Sequence, residues 1–196
     1  MLKHGLELNR IFLKLRTKKE LYSFVRTERI AGTGIVRSIR LIVMKLLFHH
    51  YKTIADRKGR AITGLSMGGH GAMWNAIRHK DTFGASGSTS GGMDIRPFPK
   101  NWDMSKQLGE YESNKEVWDN HTVINQIDKI ENGDLAIIVD CGEGDFFLNV
   151  NKDLHNRLLE KKIDHDFITR PGGHTGQYWN NSIDYQILFF DKFFKK

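Results

Sequence analysis

One serine in the chain lies between glycines, at a point where an apolar run ends and a helical pattern begins. The stretch GLSMGGHGAMWNA, residues 64–76, contains the pattern G-x-S-x-G around Ser66. An acyl-transfer enzyme places its nucleophile on such a sharp strand-to-helix turn, where only small residues fit two positions away. The same pattern also suits a glycine-rich turn that packs under a helix and has no chemistry. The motif by itself leaves both interpretations open.

Two later loops carry a candidate acid and a candidate base. Asp145 lies in CGEGDFF, after the apolar run LAIIVD, and His174 lies in PGGHTGQYW, after the strand-like segment DHDFITR. Serine, acid and histidine in this order, each on a loop that follows a strand, match the chain order of an α/β-hydrolase triad. The sequence therefore predicts Ser66 as nucleophile, His174 as general base and Asp145 as the acid that orients the base.

Each of these roles has an alternative. Asp140 ends the run LAIIVD and Glu143 follows it, but Asp145 is preferred because it lies farther out, where a loop can turn back toward an imidazole. Among the nine histidines, His174 is favoured by its glycine-rich loop. A metal site gathered from these acids, His174 and His121 is the other chemical option. No H-x-x-x-H or H-E-x-x-H spacing occurs, so we expect neither a metal nor another cofactor.

The elements that must position these residues alternate along the chain from about residue 60. Short apolar runs alternate with helical patterns, which predicts an α/β fold with a mostly parallel sheet and helices on both faces. The predicted strands are residues 60–63, 83–90, 135–140 and 164–170, and the predicted helices are 70–79, 115–130, 151–162 and 178–194. An irregular segment, residues 93–103, holds two of the three prolines.

Three aromatic residues are expected to bind substrate. The segment 93–103, which contains Trp102, and the neighbouring pair Tyr178 and Trp179 are predicted to line the acyl or the alcohol side of the cleft. None of them specifies a sugar, a glutathione or a lipid group. The expected substrate is a small-molecule or carbohydrate-linked ester. The other aromatic residues of the last helix are expected to belong to the core.

The charge distribution argues against nucleic-acid binding. The 196 residues carry a formal net charge of +7, but residues 1–60 alone hold 15 Lys and Arg against 4 Asp and Glu. The basic charge therefore belongs to the N-terminal third, and it lacks the interleaved aromatic residues that stack on bases. The apolar run 41–48 contains Lys45 and is shorter than the ~20 residues of a membrane span, which predicts a buried helix face.

The cellular compartment is predicted from two further features. The start MLKHGLELNR has no apolar segment followed by a small-residue cleavage site, so the sequence as it stands predicts a cytoplasmic protein. Cys141 is the single cysteine, which excludes an internal disulfide and a Cys-rich zinc site.

Three motifs together resemble the putative esterase family of α/β-hydrolases. They are GLSMGGHGA, DCGEGDFF and RPGGHTGQYW, and the resemblance runs from about Tyr51 to the C-terminus. The family includes esterase D (S-formylglutathione hydrolase), tributyrin, feruloyl and acetylxylan esterases, and the mycolyltransferases of the antigen 85 type. The resemblance implies an α/β-hydrolase fold and a serine carboxylesterase that needs no cofactor. It also implies the backbone N–H of Met67 as half of the oxyanion hole.

The region before the nucleophile departs from the family pattern. Family members have more strands ahead of the serine and take a second oxyanion N–H from an early loop, whereas 65 residues precede Ser66 here. We therefore expect an atypical basic segment at 1–50 and the C-terminal part of an esterase domain at 51–196, without the N-terminal strands. An unpaired edge at residues 60–63 would then favour a homo-oligomer.

The same departure leaves two functions open. One is an active serine carboxylesterase, with S-formylglutathione and feruloyl or acetyl-xylan esters as alternative substrates. The other is a weakly active or inactive remnant of such an enzyme.

Overall fold

The computed structural model describes residues 9–13, 54 and 56–196, and for residues 9–13 it describes the backbone. The helix face predicted at 41–48 lies outside the described residues. So does most of the segment 1–50, and its division from the rest of the chain stays a prediction.

Five strands form one sheet in the order of the chain. They are β1 (Asn9–Leu13), β2 (Arg60–Leu65), β3 (Ala85–Thr89), β4 (Ala136–Gly142) and β5 (Asp166–Arg170). Strands β2 to β5 are parallel, and β1 pairs antiparallel with β2 at one edge. The carboxyl ends of the four parallel strands therefore lie along the same edge of the sheet, where α/β folds hold their ligands.

The helices cover both faces of this sheet. They are α1 (Met67–Arg78), α2 (Ser105–Leu108), α3 (Lys115–His121), α4 (Leu148–Glu160) and α5 (Gly176–Phe194), with 3-10 turns at Arg57–Gly59, Tyr111–Ser113 and Ile124–Lys129. The architecture and its helices on both faces confirm the predicted α/β-hydrolase fold class. Within the described part of the chain, no helix is both long and apolar enough to cross a membrane.

Strand β4 shows why both faces must be covered. Ile137 and Val139 pack into one core with α1 and α4, whereas Ile138 packs into a second core with Phe190 of α5. Successive side chains of a strand point to opposite faces, so an uninterrupted apolar run needs helices on each side.

Strand β3 consists of small residues because helix α5 lies close to it. All five residues of the strand, ASGST, are buried. A Cβ atom on Gly87 would collide with Gln186 and come within 2.7 Å of the Thr63 hydroxyl. The glycines and serines that weaken a strand by propensity are the residues that fit in this position.

The predicted helix 115–130 is interrupted, so that prediction was wrong in part. Helix α3 ends at His121 and Thr122 is extended, with φ −88° and ψ 126°, before a 3-10 turn begins at Ile124. The Thr122 hydroxyl bonds to the Trp118 carbonyl, and the Ile124 N–H donates to the Met93 carbonyl at 3.2 Å. The apolar spacing correctly placed Val123, Ile127 and Ile130 in the core, but Val117, which it also included, is 38% exposed. The two bonds turn the backbone out of the helix.

The expected open edge at residues 60–63 was also wrong. Strand β1 pairs with β2 from Asn9 opposite Gly64 to Leu13 opposite Arg60. The backbone groups on that side of β2 thus have partners within the chain, which removes the basis for self-association at this position. Whether the protein forms homo-oligomers stays a prediction.

Two leucines of α4 test the packing of this helix against the sheet. Leu154 is fully buried and Leu159 is 55% exposed. We expect Leu154→Ala to lower the free energy of unfolding by about 2–5 kcal/mol, because it removes buried apolar atoms and leaves a cavity. Leu159→Ala is the matched control and should change it by less than about 0.5 kcal/mol. Urea unfolding of both variants measures the difference, and equal effects would contradict this packing.

Candidate active site

Ser66 lies on a strained turn between β2 and α1. Its backbone has φ 55° and ψ −125°, a conformation that residues with a Cβ atom rarely adopt. Two hydrogen bonds hold it there: the Ser66 N–H donates to the Thr89 carbonyl at 2.9 Å, and its own carbonyl accepts from the His70 N–H at 3.1 Å. Such strain persists where the surrounding structure fixes it, and it exposes the side chain at the end of the strand.

Met67 is the first residue of α1. The N–H of a first helical residue has no acceptor within its helix, and the helix dipole places partial positive charge there. This N–H follows the serine directly. That it donates to an oxyanion formed on an ester bound at Ser66 stays a prediction.

The three side chains that the sequence singled out form one hydrogen-bonded chain. The Ser66 Oγ lies 2.9 Å from His174 Nε2, and His174 Nδ1 lies 2.9 Å from Asp145 Oδ2 and 3.1 Å from Oδ1. An ionised carboxylate only accepts hydrogen bonds, so these contacts assign the ring proton to Nδ1 and leave Nε2 to accept from the serine. In this arrangement the imidazole can take a proton from Ser66.

Asp145 is buried, but its ionised form is still favoured. Burial alone raises the pKa of its carboxyl. The bond from His174 and the N–H of Phe147, which donates to Oδ1 at 2.9 Å, outweigh burial and lower this pKa below its usual value. A carboxylate that stays ionised beside the imidazole can stabilise the positive charge that the ring acquires with the serine proton.

Backbone contacts join the loops of Asp145 and His174. The N–H of Glu143 donates to the Arg170 carbonyl at 2.9 Å, and the N–H of Gly144 donates to the Gly172 carbonyl at 2.7 Å. A Cβ atom on Gly142 would lie 2.5 Å from the Gly172 oxygen. The two loops can approach this closely because glycine stands at the contact, and the approach brings the acid within reach of the histidine.

Asp140, the alternative acid, points to a different set of partners. Its carboxylate accepts from the Tyr178 hydroxyl and from Arg170, both at 2.5 Å. Burial raises the pKa of Asp140, and the bonds from Tyr178, Ser182 and Arg170 offset this only in part. Asp140 is therefore part of a buried network that joins β4, β5 and α5. The other alternative, Glu143, is exposed.

The predicted substrate residues have different environments. Tyr178 is 4% exposed and its hydroxyl is engaged by Asp140, so the structure does not place it in the cleft, and we correct that assignment. Trp179 contacts the His174 ring at 5.0 Å, edge to face. Trp102 is 39% exposed and stacks on Phe146, 5.9 Å between ring centroids.

Phe146 is a residue beside the site that the sequence did not single out. Its ring lies 4.4 Å from the His174 ring, and the side chain is 52% exposed. Its position in the sequence could have identified it, because Phe146 directly follows Asp145. A loop that brings Asp145 to His174 also brings the next residue close to His174.

The structure does not bring His121 together with the other residues of the alternative metal site. His121 bonds to the Val117 carbonyl and stacks on Trp74, and it does not join the other candidates. Among the residues that the structure describes, no three His, Cys, Asp or Glu side chains are grouped to hold a metal ion.

Comparison with known proteins identifies what this chain is similar to. The family model described as "Putative esterase" matches residues 35–190. An acetyl esterase of Caldicellulosiruptor saccharolyticus is 28% identical over 146 residues, which is 65% of this chain and 52% of that protein. The chain therefore spans about half the length of this relative.

Solved structures agree on the fold. A ferulic acid esterase is 29% identical with a TM-score of 0.65, and the match covers 78% of this chain and 58% of that protein. A fluorophosphonate-binding serine hydrolase of Staphylococcus aureus is 20% identical with a TM-score of 0.69, covering 86% of this chain and 69% of that protein. At that lower identity the likeness concerns the fold alone.

Proposed function

The chain belongs to the putative esterase family of α/β-hydrolases, and from this premise we propose that it is a serine carboxylesterase acting through an acyl-enzyme on Ser66. The observation that carries the proposal is the hydrogen-bonded chain from Ser66 through His174 to Asp145. A serine next to a neutral imidazole oriented by a buried carboxylate is an activated nucleophile.

Acylation begins at the Ser66 oxygen. As it attacks the ester carbonyl carbon, its proton passes to His174 Nε2, and Asp145 stabilises the imidazolium through the Nδ1 proton. The carbonyl oxygen becomes an oxyanion that accepts from the Met67 N–H. One such donor contributes on the order of 10²–10³ in rate. The bond to the alcohol then breaks, and His174 returns the proton to the departing oxygen.

Deacylation repeats these steps with water. His174 Nε2 accepts a proton from the water as its oxygen attacks the acyl carbon, and the proton returns to the Ser66 oxygen as the acid leaves. The reaction balances as ester plus water giving acid plus alcohol. The side chains present carry every proton transfer.

The relatives support short or aromatic acyl esters as substrates. An acetyl esterase and a ferulic acid esterase are 28% and 29% identical to this chain, so acetyl and feruloyl esters are the first substrates to test. S-formylglutathione is a further candidate, because the motifs around Ser66, Asp145 and His174 resemble a family that includes S-formylglutathione hydrolases.

A weakly active remnant is the second candidate function. The chain spans 52% of the acetyl esterase and 58% of the ferulic acid esterase, so the activity of those whole proteins is a proposal for this chain. A remnant that keeps the triad would still react with a phosphonate, but it would turn over esters slowly.

A fluorophosphonate probe tests the proposal on the full chain. We expect stoichiometric labelling of Ser66, located by peptide mass spectrometry, together with hydrolysis of at least one of three candidates: acetyl esters, feruloyl esters and the thioester S-formylglutathione. The same chain unfolded in urea is the control and should not react, because activation requires the folded triad. Labelling with little turnover would favour the remnant. Absence of labelling, or labelling at another serine, would contradict the nucleophile.

A further inference from the structure

Two exposed aromatic side chains form a surface beside His174, which we call the aromatic face. They are Trp102 and Phe146, 39% and 52% exposed, with their rings 28° from parallel. Isolated exposed aromatic residues are ordinary on a protein surface. Two that stack on each other next to a candidate general base form a continuous apolar patch at the site of reaction.

Two phenylalanine side chains, Phe147 and Phe98, pack beneath the aromatic face. Phe147 is 2% exposed and contacts both members, at 5.4 Å from Trp102 and 4.6 Å from Phe146, and Phe98 packs edge to face on Phe147. Asp145 fixes the start of this pair of phenylalanines, because its Oδ1 accepts from the Phe147 N–H. Little ordering is therefore needed when a ligand binds to the face.

The segment that carries Trp102 is also anchored. Arg96 donates to both oxygens of Asp94, at 2.9 and 2.7 Å, and to Asp119 of α3 at 2.9 Å. A two-pronged guanidinium–carboxylate pair fixes orientation as well as distance. These pairs fix the start of the irregular segment 93–103. Backbone bonds from Phe98 to the Ile95 carbonyl and from Asn101 to the Phe98 carbonyl, both 3.1 Å, continue the order toward Trp102.

The proton path points to the alcohol side of an ester as the part that would meet the aromatic face. His174 Nε2 must return its proton to the alcohol oxygen, so this oxygen comes within about 3 Å of the imidazole. The carbonyl oxygen points instead to the Met67 N–H. The Phe146 ring lies 4.4 Å from the imidazole ring, so the first group attached to the alcohol oxygen lies within its reach.

We propose that Trp102 and Phe146 form the alcohol-side subsite of the enzyme and select esters whose alcohol carries a flat aromatic group. This inference rests on the proposed esterase function and adds to it the substrate class. Phe146 thereby becomes a specificity-determining residue. A planar ring can stack on the face, whereas a saturated ring of similar size is too thick to keep the same contacts.

Two matched pairs of esters test this on the full chain. Benzyl acetate and cyclohexylmethyl acetate differ on the alcohol side, and methyl phenylacetate and methyl cyclohexylacetate differ in the same way on the acyl side. We expect kcat/KM to favour the benzyl ester by about 3- to 10-fold, the scale of one aromatic stacking contact. The ratio for the acyl pair should stay within about 2-fold of one.

Substitutions at Phe146 and Trp102 test whether these residues cause the preference for the benzyl ester. Phe146→Leu and Trp102→Leu should each bring the ratio for the alcohol pair toward one. Leu188→Ala is the control, since this side chain is 53% exposed and lies more than three turns along α5 from its start at Gly176, and it should leave the ratio unchanged. Stoichiometric fluorophosphonate labelling of each variant at Ser66 checks that the triad is intact.

Protection of Ser66 gives a readout that does not need turnover. Benzyl alcohol should slow fluorophosphonate labelling more than cyclohexylmethanol does at equal concentration. Equal protection, a preference on the acyl side, or an alcohol preference that survives both variants would overturn the subsite. Labelling or hydrolysis absent altogether would instead overturn the proposed esterase, and the subsite with it.

Discussion

Replacing Ser66 with alanine is expected to abolish ester hydrolysis, with a loss of about 10⁴- to 10⁶-fold in kcat. The side chain is the proposed nucleophile, and its Oγ lies 2.9 Å from His174 Nε2. The substitution removes one hydroxyl and leaves the backbone bonds of the turn in place, so the melting temperature should remain within about 2 °C of the unsubstituted protein. Ester assays and thermal unfolding of the same preparation measure both effects. Activity at the unsubstituted level would contradict the nucleophile.

A double variant, Ser66→Ala with His174→Ala, tests whether the two residues act together. His174→Ala alone should lose about as much activity as Ser66→Ala, and the combination should lose little more, because a triad acts as a unit. Losses that multiply would show that His174 contributes independently of the serine. Thermal unfolding again separates lost chemistry from lost structure.

Replacing Asp145 with asparagine should lower kcat by about 10⁴-fold while the protein stays folded. The carboxylate fixes the proton on His174 Nδ1, and an amide that donates to this nitrogen would favour the other tautomer, in which Nε2 cannot accept from Ser66. Kinetics at pH 7 measure the loss. Because hydrogen bonds lower the pKa of Asp145, the carboxylate should remain ionised down to pH values below its usual range.

Asp140→Asn is the matched control for this prediction. Asp140 accepts from Tyr178 and Arg170, and asparagine offers one oxygen in place of two. A buried donor that loses its acceptor costs about 1–3 kcal/mol, so the effect should fall on thermal stability, with activity changed far less. A larger activity loss from Asp140→Asn than from Asp145→Asn would exchange the roles of the two acids.

The family and the order of the triad candidates could be read from the sequence. Ser66, Asp145 and His174 each follow a strand, and parallel strands bring their carboxyl ends to one edge, so local patterns sufficed to place the three loops together. The membership predicted from the motifs is confirmed by the family model over residues 35–190, and the α/β-hydrolase fold is confirmed as well. The catalytic roles stay predictions.

Several features depended on contacts between residues distant in the chain. The sequence favoured Asp145 over Asp140 from loop position alone, and the hydrogen bond in the folded structure shows that the Asp145 carboxylate meets His174. Tyr178 looked like a cleft residue but turns inward to Asp140. Strand β1 covers an edge that composition alone left open.

The two groups of features differ in how far apart in the chain the residues that determine them lie. Strand pattern, the glycine turn at Ser66 and the chain order of the triad depend on a few neighbouring residues, so the sequence by itself determined them. The direction of a side chain at a loop depends on elements that pack from elsewhere in the chain. Tertiary structure alone therefore decided that Phe146 lies against the His174 ring and that Trp102 stacks beside it.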